Sequence, residues 1–210
     1  MMRPRPRILH VFSDWKWTGP AEPIVTLCRQ LRRHGYPVDL ACTRAPRNAK
    51  DSIEQHARER HVEPVLDFRL QKSGNPFVNF PDISLLKEYL EHEEVEIVHT
   101  HTGHDHYIAS RAARKATNQP FVVRTNHRGV PLPATPLNKW VIRGYTDAWA
   151  AYTESCRDAD VRNFGLNPKH AVVIDGAVDL ERFNPSRTDN GIRAKLGFGP
   201  EHVVAGIVAR

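Results

Sequence analysis

Four histidines and an aspartate stand within eight residues at His99-Thr100-His101-Thr102-Gly103-His104-Asp105-His106. Histidines two apart on a strand point to one face, so His99 and His101 could chelate a metal together with His104, Asp105 or His106. The run straddles the end of an apolar strand pattern and the start of a helix pattern, and no cysteine or second carboxylate completes a tetrahedral shell. Hydrogen bonding to a sugar or phosphate, or capping of the helix, is the better use of these groups, and no metal is expected. A second chemical segment, Thr125-Asn126-His127-Arg128, also follows an apolar run. An imidazole placed at a strand end reads toward ligand contact more than toward a satisfied loop histidine.

The third segment, Trp15 to Pro23, lies between the apolar run Ile8 to Ser13 and an amphipathic helix pattern from Ile24 to His34. Exposed amides at such a helix start suit anionic or hydroxyl-rich ligands, and Gly19, beside Thr18, lets backbone approach a ligand closely. Glu22 is equally explained as a residue that satisfies the helix dipole. Trp15 and Trp17 are open to packing or to a sugar- or lipid-facing role. Gly19 is followed by Pro20-Ala21-Glu22, not by further glycines, so a dinucleotide fingerprint is absent, and no Gly-Lys-Ser or Gly-Lys-Thr marks a P-loop. Ser155 and Cys156 lack a Gly-x-Ser-x-Gly elbow, which removes support for a hydrolase.

Short apolar runs alternate with helix patterns throughout. Strands are expected at Arg7 to Ser13, Pro37 to Thr43, Val62 to Phe68, Val95 to Thr100, Pro120 to Thr125, Asp147 to Ala151 and Ala171 to Asp175. Helices are expected between them, among them Lys50 to Arg60, Ser84 to His92, Leu137 to Gly144 and Glu154 to Phe164, with Gly35, Gly144 and Gly165 as C-terminal caps. This rhythm predicts an α/β fold, a Rossmann-like doubly wound and mainly parallel sheet of seven strands. In such a sheet ligands bind outside the carboxyl ends of the strands, where Thr18, Gly19, His101, His104, Asn126, His127 and Arg128 are all expected to converge. The stretch from Gln71 to Pro81, with Gly74, Asn75 and Pro76 beside Phe77 and Phe80, reads as a lid or a partly buried flap.

The 210 residues carry a formal charge of +6, which favours an anionic partner. Cys28, Cys42 and Cys156 have no paired spacing, which argues against a disulfide framework and for the cytoplasm. The basic start Met1 to Arg7 is followed by a run too short for a signal peptide or spanning helix, so any membrane contact is peripheral. After Asp175 a turn, a short polar helix from Thr188 to Leu196 and a new apolar run from Val203 to Val208 follow. The expected layout is residues 1–178 as one Rossmann-like domain, 179–200 as linker, and 201–210 as the first strand of a second domain.

The glycine turn and helix from Thr18 to Leu31, the segments Glu96 to His101 and Val123 to His127, and the exit Val172 to Phe183 together resemble the N-terminal domain of retaining family 4 glycosyltransferases of the GT-B fold. The exit is similar to that family's Ile-Pro-Asn-Gly-Val-Asp-x-x-x-Phe segment, with Asp175 for the usual Asn and Ala177 inserted, and Thr18-Gly19 stands where many members have Gly-Gly. The resemblance implies sugar transfer from a nucleotide sugar to a glycan or lipid-linked acceptor, with no metal, no cofactor and no nucleic-acid partner. It implies that the first domain is acceptor-binding and the second donor-binding, and that Gly19 lines the acceptor cleft and approaches the donor phosphates. His127 would contact the transferred sugar, and His101 and His104 would border the acceptor. A non-catalytic ligand- or partner-binding module is the rival reading, and a GT-B epimerase, which needs an acidic residue to abstract a proton, is a third.

Overall fold

The computed structural model describes residues 5–73, 76–178, 180, 183, 184, 186 and 191–207. Seven strands, β1 (Ile8–Phe12), β2 (Val38–Cys42), β3 (Pro64–Val65), β4 (Ile97–Thr100), β5 (Phe121–Asn126), β6 (Ala148–Ala151) and β7 (Ala171–Val173), form one sheet in the order β3-β2-β1-β4-β5-β6-β7. Every pairing is parallel, as the alternation of strands and helices predicts. The order reverses between β1 and β4, which makes their carboxyl ends the crevice where such sheets bind ligands.

Side-chain parity sorts the core. Ile8 and Phe12 of β1 pack with Ile24, Val25 and Cys28 of α1 (Ala21–Arg33) and with Ile53 and Ala57 of α2 (Ile53–Glu59). Leu9 and Val11 point the other way, onto Leu86 and Leu90 of α3 (Pro76–His92) and onto Ile108, Ala109 and Ala112 of α4 (Gly103–Lys115). Helices thus cover both faces, the arrangement that parallel strands require. Further along, α5 (Pro136–Tyr145) and α6 (Glu154–Phe164) pack Ile142, Cys156 and Phe164 around Trp149 of β6. Gly165 closes α6 at φ +63°, a left-handed cap that a side chain would strain.

Four expectations change. Strand β3 keeps only two residues, because Pro64 cannot donate to a ladder and sits on the edge of the sheet, while Val62 and Phe68 still reach the core. The stretch read as a lid or a partly buried flap is helical from Pro76 onward, and Gly74 and Asn75 lie outside the described residues. Asn79, Asp82, Ile83, Leu86 and Leu90 form its buried face at helical spacing, and the Asp82 carboxylate accepts the Arg69 and Leu70 amides at 2.9 and 2.8 Å. Gly144 is no cap: it lies inside α5, which runs on to Tyr145. Residues 202–207 take no regular structure, and 208–210, the end of the expected strand, lie outside the described residues.

The chain divides into two compact units, Met1–Gly176 and Ala177–Arg210. In the second, the expected polar helix is present as α7 (Ile192–Lys195), and 187–190 lie outside the described residues. No helix among the described residues is long and apolar enough to cross a membrane.

Candidate active site

Register brings together imidazoles that lie far apart in sequence. His10 of β1 pairs with His99 of β4, so both side chains leave the same face, and His101 follows two positions later on that face. Thr125 and His127 continue the same parity on β5. The result is a hydrogen-bonded row. His10 Nδ1 lies 3.1 Å from His101 Nε2, His101 Nδ1 lies 2.9 Å from His127 Nε2, and His127 Nδ1 lies 2.6 Å from the Tyr152 hydroxyl. His99 stands beside the row with Nε2 at 2.7 Å from Thr125 Oγ1, its ring centroid 4.7 Å from that of His10 and 4.4 Å from that of His101.

Burial decides the protonation state. It pushes His10 down to about 3 and His127 to about 4, with the Arg124 guanidinium adding to the effect on His127. His99 and His101 are held well below the usual histidine range, by burial first and then by their neighbours' charge. At neutral pH every ring is therefore neutral, with one N–H and one lone pair. Three rings joined nitrogen to nitrogen must then all donate in one direction, and the mismatch collects at the end of the row, where His10 Nε2 has no partner.

The loop carrying His101 is fixed by α4. Asp105 is fully buried and accepts the His101 amide at 2.8 Å and the Thr102 amide at 2.7 Å, the second being the carboxylate half of a capping box, and its carboxylate also takes the Thr102 hydroxyl. Ser13 Oγ, at the end of β1, meets Thr102 Oγ1 at 3.2 Å and so joins the two loops of the crevice.

The cluster His99 to His106 is split by this geometry. His99 and His101 join the row, whereas His106 is tied inside the core between Thr100 Oγ1 and Thr146 Oγ1, both at 2.9 Å. His104 lines a cavity between α3, α4 and α5. The three imidazoles that approach one another are instead His10, His99 and His101, each with a ring nitrogen within 4.8 Å of the others. Their donor set is three neutral nitrogens with no carboxylate; His10 Nδ1 and His101 Nε2 are engaged with each other, and His99 Nε2 with Thr125.

Asn126 is buried and braces the loop beyond β5: its amide donates to Asp160 at 2.9 Å and to the Val130 carbonyl at 3.2 Å, and its oxygen accepts the Arg128 amide at 3.0 Å. Arg128 is exposed on that braced loop. Thr18 and Gly19 form the turn into α1, where the Thr18 carbonyl accepts the Ala21 amide at 2.9 Å; the space above Gly19 is open. Trp17 packs, stacked on His56 at 4.2 Å with the Arg60 guanidinium over its ring. His10, Ser13 and Tyr152 are members that motif reading misses. A lone histidine in the apolar run Ile8 to Phe12 and a tyrosine one residue beyond β6 were the only signals.

A parallel doubly wound domain of this strand order matches the N-terminal domain of GT-B glycosyltransferases. The chain belongs to Glycosyltransferase Family 4, whose model matches residues 18–182. A curated relative, the D-inositol 3-phosphate glycosyltransferase of Streptomyces bingchenggensis, is 36% identical over 63 residues, 30% of this chain and 14% of that protein. Among solved structures, a glycosyltransferase from Rickettsia africae ESF-5 superposes with a TM-score of 0.70 at 16% identity, covering 91% of this chain and 48% of that one. A UDP-GlcNAc 2-epimerase from Neisseria meningitidis bound to UDP-GlcNAc gives 0.61 at 16% identity, over 80% of this chain and 46% of that one. At these identities the structural likeness is one of fold, and the chain spans less than half of either solved chain.

Proposed function

We propose that the chain is the acceptor-side domain of a retaining glycosyltransferase, which moves a hexosyl or related sugar from a nucleotide sugar to a glycan or lipid-linked acceptor in cell-envelope synthesis. The observation that carries this reading is the neutral row Tyr152–His127–His101–His10, built at the switch point of a family 4 domain. The nucleotide sugar bound by the Neisseria meningitidis epimerase of the same fold supports a nucleotide-sugar donor. A cytoplasmic reaction with at most peripheral membrane contact belongs to the same reading.

A neutral His127 serves as a hydrogen-bond partner and not as a cationic acid. Both its nitrogens are engaged within the protein, so a sugar hydroxyl reaches Nδ1 by taking the place of the Tyr152 hydroxyl. His101 holds the ring from behind and fixes which nitrogen is free to exchange. Contacts of this kind count toward rate when they strengthen as the sugar moves toward the transition state. The acceptor hydroxyl attacks from the face that the nucleotide leaves, and the reading requires no metal. The nearest carboxylates, Asp105 and Asp160, are occupied with backbone amides and Asn126, which favours transfer over the proton abstraction that an epimerase needs.

The test is mass-spectrometric detection of sugar transfer by the product of the complete open reading frame, offered a panel of nucleotide sugars and acceptors. The 210-residue chain alone is expected to give no transfer and to bind nucleotide sugars weakly. Submicromolar donor binding by the chain alone would overturn the acceptor-side assignment. Ligand binding by the complete product without transfer to any acceptor would instead favour a non-catalytic binding module.

A further inference from the structure

Residues of β5 alternate between two faces, so Arg124 leaves on the side opposite to Thr125. While Thr125 meets His99, the Arg124 side chain is only 5% exposed, with its guanidinium 5.9 Å from the centroid of the Trp149 ring. Its terminal nitrogen Nη1 donates to the Thr102 carbonyl, in the loop between β4 and α4. Burial lowers its pKa to about 10, so the side chain is still a cation at neutral pH, and the Asp105 and Asp160 carboxylates oppose that drop. A buried charge is costly and persists only where opposite charges compensate it.

Both compensating carboxylates are fully buried, and each braces one of the two segments that carry the row. Asp105 accepts the His101 and Thr102 amides in the loop between β4 and α4. Asp160 accepts the Asn126 side-chain amide at 2.9 Å and the Leu132 amide at 2.8 Å, on either side of His127. The bond of 2.9 Å between His101 and His127 bridges these two segments, and it survives only if they keep one separation. Arg124 links them directly: it stands on β5 ahead of His127 and grips the other loop by the Thr102 carbonyl. Its charge also holds Asp105 back from the neutral form toward which burial pushes it. A neutral Asp105 would carry a proton on one of the two oxygens that now accept the His101 and Thr102 amides.

We propose that Arg124 is the positioning residue of the histidine row: bonded to the Thr102 carbonyl, with its charge answered by Asp105 and Asp160, it locks the two segments at the separation where His101 and His127 meet. It acts through these two rings and not on substrate. Only the consequence for sugar transfer rests on the transferase reading.

Two replacements separate charge from packing. Arg124→Lys keeps the cation, whereas Arg124→Met keeps an unbranched stem against Trp149 and removes the charge. In the 210-residue chain, ring-nitrogen NMR reads the tautomer of each imidazole, and hydrogen exchange reads the His101, Thr102 and Leu132 amides. In the Met variant the His101 and His127 rings should lose their single tautomer. Protection at the three amides should fall about tenfold or more, while Leu9 and Leu40 of the central strands keep theirs. The Lys variant should stay close to the parent chain; a guanidinium that only fills space beside Trp149 predicts the reverse order. In the complete protein, kcat should drop about tenfold or more for Met with KM little changed, and recover in Lys.

Undisturbed rings and amides in the Met variant, a Lys variant no better than Met, or loss of folding in both overturns the proposal. If Met alone fails to fold, an intact row in Lys supports it and a disturbed one overturns it. Unchanged kcat in a Met variant whose rings are disturbed overturns the part of Arg124 in the reaction. No sugar transfer by the complete unaltered protein refutes the transferase reading alone, because the rings and amides still decide what holds the row.

Discussion

His127 Nδ1 and the Tyr152 hydroxyl lie 2.6 Å apart, and His127 Nε2 lies 2.9 Å from His101 Nδ1, so this imidazole is held from both sides. Tyr152 is the outer end of a row whose inner end, His10, is fully buried. A ring held in this way cannot flip or change tautomer without moving its neighbours' protons. On the proposed function, the place of an incoming sugar hydroxyl is thereby defined in advance, at the position of the Tyr152 oxygen.

Replacing His127 with Ala therefore has two effects. It leaves His101 Nδ1 without its partner in a buried setting, which should cost about 1–3 kcal/mol of stability. In the complete enzyme it should also lower kcat about tenfold or more, each tenfold being about 1.4 kcal/mol of barrier. Chemical denaturation and steady-state kinetics read the two separately. Exposed Lys50→Ala should do neither. Normal turnover in the His127 variant, at a temperature where it is folded, would remove the residue from the reaction.

The depressed histidines also set the acid limb of stability. His10 titrates at about 3 and His127 at about 4 in the folded protein, against an ordinary value of 6.5. Between those values the unfolded chain binds more protons than the native one, so stability falls as pH falls. The loss begins near pH 6.5 and continues down to about 4 for His127 and about 3 for His10. With His99 and His101 shifted the same way, urea unfolding between pH 6 and 5 should lose more than about 1.4 kcal/mol per pH unit, the slope for a single proton. A flat profile there would mean that the row is charged, and open to water, in the native state.

The strands were legible because their apolar runs have few rivals, and the crevice followed from the parallel order alone. What failed did so for reasons of pairing and packing. The stretch from Gln71 to Pro81 reads as a lid or a partly buried flap, yet the buried face from Asn79 to Leu90 carries α3 through Pro81. His10 looks like a core residue until register sets it opposite His99, and Tyr152 joins the row only through the reach of its hydroxyl. The different surroundings of Asn126 and His127 were in principle readable, since neighbours on a strand face opposite ways.

The N-terminal part of α3 hangs on Asp82. Its carboxylate is almost fully buried and takes both the Arg69 and Leu70 amides. In Asp82→Ala both amides lose their acceptor, which should cost about 1–3 kcal/mol for each donor left unsatisfied. Hydrogen exchange should show lost protection at those two amides and along the first turns of α3, while β1 and β4 stay protected. Unchanged exchange there would return the stretch from Gln71 to Pro81 to the status of a loose flap.

The histidine row also permits a decisive test for metal. His10, His99 and His101 present nitrogens within 4.8 Å of one another, and three neutral imidazoles are an adequate donor set for zinc. Binding there would have to break the His10–His101 hydrogen bond and place an uncompensated double charge where burial already keeps His10 neutral. The hydrogen-bonded row should therefore prevail. Elemental analysis of the purified protein should find no stoichiometric zinc, and a chelator should leave the melting temperature unchanged, because an ion bound only to the native state would raise it by mass action. Stoichiometric zinc, with a drop in melting temperature on chelation that His10→Ala abolishes, would replace the proton-ordered row with a metal centre.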